Sequence, residues 1–161
     1  MSDTYSHLDS APPGPLYLRD QDLEEALEYL VVASRSMTGK ARETLEGRGF
    51  GMAHFRVLHA VSRNPNIPVA RLLEILDIRK QSLHRVLTPL IEAGLVTQTP
   101  GEKDRRQRLL ALSEEGKTFV RDLTQQARVD LTEAFRRAGP AAVAGFRTVL
   151  KELNRRTETS S

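Results

Sequence analysis

The chain contains no cysteine, which removes disulfides, thiolate metal sites and cysteine-based redox sensing together. It has no apolar run near the ~18–20 residues needed to span a bilayer. Its first residues, MSDTYSHLDSAPPGP, lack the basic stretch and apolar core of a signal peptide. A cytoplasmic protein without membrane contact is therefore expected. Enzyme signatures are missing as well. The histidines are His7, His54, His59 and His84, and they form no H-E-x-x-H pair or other metal spacing. His54 and His59 fall on different sides of a helix. There is no glycine-rich phosphate loop and no G-x-S-x-G elbow. No enzymatic activity, cofactor or metal is expected, and no internal repeat is visible.

What is present fits one globular, mainly helical domain. Length, 161 residues, suffices to bury most of the apolar surface. Hydrophobic residues make up 39% and charged ones 28%, and the apolar ones recur at helical intervals, which argues against general disorder. The net charge of +3 is mild evidence for an acidic partner, so the placement of the cations has to decide.

Residues 1–18 form a polar arm closed by Pro12, Pro13, Gly14 and Pro15, which favours extended conformations. It reads as a mobile tail or as an arm across a partner subunit, anchored by Leu16, Tyr17 and Leu18. From Asp20 a helix of about 25 residues begins, with carboxylates in its first turns where they suit the helix dipole. Leu23, Ala26, Leu27, Leu30 and Val31 start its apolar stripe, and Gly47 and Gly49 end it. Met52 to Arg63 is the next helix, with Phe55, Leu58, His59 and Val61 on its expected buried side. Asn64-Pro65-Asn66 marks a turn.

The stretch from Pro68 to Ser113 organises the rest. A short helix with Pro68 in its first turn presents Leu72, Leu73 and Leu76. A tight connection through Asp77 and Ile78 leads to a second helix, Lys80 to Ala93, ended by Gly94. Pro89 lies inside that helix, where it removes one amide, and a bend is expected there. The runs Leu95–Thr99 and Leu109–Leu112 then flank the charged turn Pro100 to Arg106. Helix, turn, helix and a hairpin with a basic tip outline a winged helix-turn-helix. After it, Ser113 caps a long helix carrying Phe119, Leu123, Ala127, Leu131 and Phe135. Gly139-Pro140 stops that helix and starts another, with Val143, Phe146, Val149, Leu150 and Leu153 as its apolar side. The chain from 156 to 161 is expected to be a disordered tail. The terminal helices, 19–49 and 114–155, carry more apolar surface than the middle of the chain can cover, so a homodimer is expected.

The second helix of the pair exposes Arg79, Lys80, Gln81, Ser82, His84, Arg85 and Thr88. All can donate hydrogen bonds, and Gln, Ser and Thr can also accept them, which suits base edges in a major groove and the phosphates at its rims. The hairpin turn adds Lys103, Arg105, Arg106 and Arg108, and an arginine at such a tip can enter a narrow minor groove. Asp104 is expected to fix the Arg106 guanidinium by fork geometry. Either feature alone could be a solvated face. Together, on one side of one fold, they point to double-stranded DNA. A winged-helix module that binds protein is the alternative, against which the basic run from Lys103 to Arg108 weighs.

Gln81-Ser82-Leu83-His84-Arg85-Val86-Leu87, Leu90 to Val96, Asp104-Arg105-Arg106 and Leu112-Ser113-Glu114-Glu115-Gly116 together resemble the MarR family of bacterial transcriptional regulators. The match is strongest over 50–120. The resemblance implies a homodimeric winged-helix regulator, a repressor or activator, on a pseudo-palindromic operator. It implies helix 79–93 in the major groove and Arg105 or Arg106 in the minor groove. The region 50–113 would be the DNA-binding part. Gln107 stands where the family often has a small residue. Family members that bind small aromatic acids do so between the dimerisation helices and the winged part, and Tyr29, His54, Arg56 and His59 can supply polar groups to such a crevice.

Overall fold

The computed structural model of the protein describes residues 18–102 and 104–158. The order is α1 (Asp20–Glu46), α2 (Met52–Arg63), β1 (Ile67–Pro68), α3 (Val69–Leu76), α4 (Lys80–Glu92), β2 (Val96–Pro100), β3 (Arg108–Leu112) and α5 (Glu114–Glu158). This is the expected mainly helical chain with a small hairpin. The expected arm lies, apart from Leu18, outside the described residues. Contacts divide the chain after Ser36 into two units. The first is described through the opening turns of α1, where Leu23, Leu27, Leu30 and Val31 are all exposed.

The second unit is built around α2, which packs against α3, α4, α5 and β3. Val57, Leu58 and Val61 supply its buried face. His59, expected on that face, is exposed instead. Helical spacing explains the correction: with Leu58 and Val61 central, Val57 rather than His59 completes the stripe. Ala41 and Leu45 from the last turns of α1 join the same core, as do Leu72, Leu83, Leu90, Leu95, Leu110 and Leu123. The turn at Asn64-Pro65-Asn66 forms as its residues suggest. The Asn64 side-chain amide donates to the Ala60 carbonyl at 2.8 Å, and Asn66 takes a φ of 60°.

Pro68 lies one step before α3, in extended conformation (φ −63°, ψ 141°), and not in its first turn. It belongs to β1, a two-residue strand whose Ile67 pairs with Leu110. The sheet order is β1-β3-β2, all antiparallel, with Val96 opposite Leu112 and Pro100 opposite Arg108. α4 passes through Pro89 without a break, and Leu83, Leu87 and Leu90 keep its inner face buried.

The start of α5 is fastened to the base of the hairpin. Ser113 Oγ donates to the Gly94 carbonyl at 2.6 Å and accepts the Gly116 amide at 2.9 Å. Gly116 passes so close to the Leu95 carbonyl oxygen that a Cβ there would overlap it. Any side chain would force α5 away from the hairpin. At the other end, Gly139 leaves helical geometry (φ 82°, ψ 167°) and Pro140 follows, so the long element is two helical pieces joined at a kink. The Phe135 and Phe146 rings meet edge-on across it, with centroids 5.9 Å apart. Helix continues to Glu158, so the tail expected from 156 starts no earlier than 159, beyond the described residues. An Arg155–Glu152 ion pair at 3.2 Å lies on that last stretch, and such i,i+3 pairs support an exposed helix.

Candidate nucleic-acid interface

Three buried leucines decide what α4 shows to solvent. With Leu83, Leu87 and Leu90 inward, Gln81 and Arg85 fall on the opposite side of the helix. Arg79, Lys80, Gln81, Ser82, His84 and Arg85 are exposed, and Thr88 is half-buried. His84 and Thr88 face one another one turn apart. The Thr88 hydroxyl donates to the His84 carbonyl at 2.8 Å, and its oxygen lies 3.3 Å from the His84 ring Nδ1. The connection from α3 is as tight as the sequence implies. Asp77 takes a left-handed conformation (φ 49°), and the Ile78 amide returns to the Leu73 carbonyl.

The hairpin turn is closed by its backbone. The Gly101 amide donates to the Gln107 carbonyl, and the Gln107 amide to the Asp104 carbonyl, both at 3.0 Å. Gln107 therefore closes the turn through its main chain. Asp104 Oδ1 accepts the Arg106 amide at 2.9 Å. This corrects the expectation that Asp104 would hold the Arg106 guanidinium: the carboxylate orders the main chain two residues on, as Asp does in turns. The guanidinium stays free of it. Arg105, Arg106 and Arg108 are exposed; Lys103 lies outside the described residues.

Helix and hairpin meet in one open groove of ≈ 460 Å³, lined among others by Lys80, His84, Thr88, Asp104, Arg106 and Arg108. Arg79, Gln81, Ser82, Arg85 and Arg105 do not line it. Gln98, Pro68 and Gln107 do, although none of them belongs to the basic helix face or turn from which the interface is expected. For Gln98 the signal was strand alternation. It lies two residues beyond buried Val96 and opposite buried Leu110, on the inward side of the hairpin.

Among the described residues, none of Arg79, Lys80, Arg85, Arg105, Arg106 and Arg108 makes an ion pair. Residues 79–108 hold seven Lys or Arg against three Asp or Glu, so this segment alone exceeds the +3 of the whole chain. The excess of positive charge belongs to the segment that forms α4 and the hairpin, and Lys80, Arg106 and Arg108 of it line the groove between them.

The residues named for a ligand crevice have local roles. His54 Nδ1 accepts the Gly51 amide at 3.0 Å and so caps α2. Arg56 donates to the Leu76 carbonyl at 3.2 Å, at the end of α3. The His59 ring lies 5.8 Å from that of Phe55. Tyr29, in the other unit, donates to Glu25 at 2.6 Å, and that bond raises its phenol above the usual range. Among the described residues no cluster of His, Asp and Glu is arranged to hold a metal ion, and no helix is long and apolar enough to cross a membrane.

A family model described as the MarR family matches residues 48–107. The HTH-type transcriptional regulator PetP of Rhodobacter capsulatus is 40% identical over 148 residues, covering 90% of this chain and 89% of that protein. The chain belongs to the MarR family of transcriptional regulators. Solved structures agree on the winged-helix fold of MarR proteins. FabT of Streptococcus pneumoniae, crystallised in complex with DNA, superposes with a TM-score of 0.73 at 16% identity, over 87% of this chain and all (100%) of that one. A mutant of MarR from E. coli complexed with operator DNA gives 0.58 at 21% identity, over 86% of this chain and 98% of that one.

Proposed function

We propose that this MarR-family chain is a sequence-specific repressor that binds a pseudo-palindromic DNA operator as a homodimer in the cytoplasm. The observation that carries the reading is the concentration of exposed cations, unpaired among the described residues, on α4 and the hairpin. In this reading α4 lies in the major groove, with Arg79, Lys80, Gln81, Ser82, His84, Arg85 and Thr88 along it. Arg105 or Arg106 enters the minor groove, and Lys103 and Arg108 serve phosphates. Asp104 acts indirectly, by setting the main chain at Arg106. The DNA complexes formed by FabT and by the E. coli MarR mutant support the same use of the fold.

Dimerisation through the terminal helices is supported by their exposed apolar side chains. Leu27 is 62% exposed, and Val149 and Val129 are 58% and 56% exposed, on helices that a second copy would cover. Release by a small aromatic ligand completes the proposal. Of its four candidate residues, His59 is the one whose exposed ring makes no hydrogen bond among the described residues.

The deciding experiment is binding to a genomic fragment from upstream of the chain's own gene, over a salt series, with a shuffled duplex as control. With about four phosphates neutralised per subunit, log K should fall against log salt with a slope of about −7. Preference for the natural fragment is expected. Equal binding to both duplexes would reduce the surface to a general nucleic-acid patch. Absence of binding at low salt would leave a winged-helix module for a protein partner.

A further inference from the structure

The geometry points to a two-purine code in each operator half-site: an adenine read by Gln81 and a guanine read by Arg85, about one to two base pairs apart. The inference rests on the DNA-binding reading and deepens it.

The argument begins with the register of α4. Opposite the buried Leu83, Leu87 and Leu90, the outward stripe runs Gln81, Arg85, Thr88 and Glu92, at steps of four, three and four. These four face the floor of any groove that α4 enters, and they differ sharply in what they have left to offer. The hydroxyl proton of Thr88 is spent on the His84 carbonyl, so Thr88 presents an acceptor and a methyl group. Glu92 presents a carboxylate that phosphate repels. It therefore confines close approach to the first two turns. Gln81 and Arg85 are exposed and make no side-chain hydrogen bond or ion pair among the described residues. Both bring paired hydrogen-bonding atoms in a planar head.

Those planar heads have specific complements in the major groove. A glutamine amide donates to adenine N7 and accepts from the adenine N6 amine, while arginine donates twice, to guanine N7 and O6. Four residues advance the helix by about 6 Å, and stacked base pairs lie about 3.4 Å apart. For a helix inclined to the duplex axis as it follows the groove, the two contacts therefore fall about one to two base pairs apart. Lys80 and His84, one step round the helix, line the groove toward the hairpin and so lie off the stripe on which Gln81 and Arg85 stand.

The test is enrichment of duplexes from a randomised library by the full-length chain, repeated with Gln81→Ala and Arg85→Ala. The expected consensus half-site carries A and G at this spacing. Gln81→Ala should relax selection at the adenine alone, and Arg85→Ala at the guanine alone. Discrimination lost at the affected position should be about five- to 150-fold. Replacing the guanine by 7-deazaguanine, which lacks the N7 acceptor, should weaken the wild type and leave Arg85→Ala indifferent. Enrichment of a consensus without the two purines, or uniform weakening of all sequences by both substitutions, would overturn the code while leaving a DNA-binding protein. Failure to enrich any duplex would overturn the DNA-binding reading and the code with it.

Discussion

The two terminal helices and the α4–hairpin segment differ in how far their cations are paired. On α1 and α5 many cations sit a turn from a carboxylate: Lys40 with Glu43, Lys117 with Glu114, and both Arg136 and Arg137 with Glu133 at 2.6 and 2.9 Å. Such exposed pairs add little stability and neutralise the helix surface locally. On α4 and the hairpin, the cations of the described residues have no carboxylate within ion-pair distance. Asp104, which could have served, is turned onto the Arg106 amide. What the terminal helices leave unsatisfied is apolar surface: Leu27, Val129 and Val149 lie more than half exposed. The terminal helices have part of their charge matched and apolar surface left open, whereas α4 and the hairpin keep cations without a carboxylate partner among the described residues. Two different partners, a second copy and a polyanion, would complete them.

The largest effect should come from closing the apolar opening with charge. Leu27→Glu combined with Val149→Glu places carboxylates on surfaces that, in a dimer, would lie against apolar neighbours. Light scattering should then fall from twice the 18.0 kDa chain mass to one, while far-ultraviolet circular dichroism stays helical. A mass of one chain for the unaltered protein, or an unchanged dimer in the double variant, would remove the terminal helices from the interface.

Arginines test the other half of the contrast. Arg106→Ala and Arg136→Ala each delete one guanidinium, but Arg136 is already paired with Glu133 at 2.6 Å and Arg106 has no such partner. Arg106→Ala should weaken operator binding and flatten the salt slope by about one for each subunit, with an unchanged melting temperature. Arg136→Ala should leave the slope alone. Equal effects from the two would mean that pairing does not distinguish the DNA-facing cations.

Much of this division could be read from the residues in order. Helical spacing gave the long stripes, Gly139-Pro140 gave the kink, and the turn at 100–106 gave the hairpin tip. These signals are local, fixed by neighbours within a turn or two. What escaped reading depends on distant partners. β1 has two residues, too few for any period, and exists because Ile67 finds Leu110. Gly116 stands in a recognisable L-S-E-E-G string, but its physical reason, the Leu95 carbonyl beneath it, is visible only once hairpin and helix are together. Asp104 and Arg106 are near enough in sequence to meet in two ways. Main chain prevailed over guanidinium because the tight turn brings the amide to the carboxylate first. On α2 the step from Phe55 to His59 suits a helical stripe as well as the buried one does, and only the packed neighbours choose its centre.

The smallest effect concerns a pair on a terminal helix. Lys117 Nζ lies 2.6 Å from Glu114 Oε1. That hydrogen bond, with the attraction of the ammonium behind it, holds the Glu114 carboxyl below the ordinary range. A carboxyl lowered in the folded state stabilises the fold at pH above its ordinary value, and the contribution disappears as pH falls through the lowered one. Lys117→Ala should therefore lower stability slightly near neutral pH, with the difference from the unaltered protein vanishing as pH falls through the lowered value, and the effect stays small because the pair is exposed to water. Because the Lys117 charge is already met by Glu114, the same variant should bind the operator with unaltered salt dependence. A loss of operator affinity comparable to that of Arg106→Ala would show that a locally paired cation can still be recruited by DNA, and pairing would then no longer explain why the two regions differ.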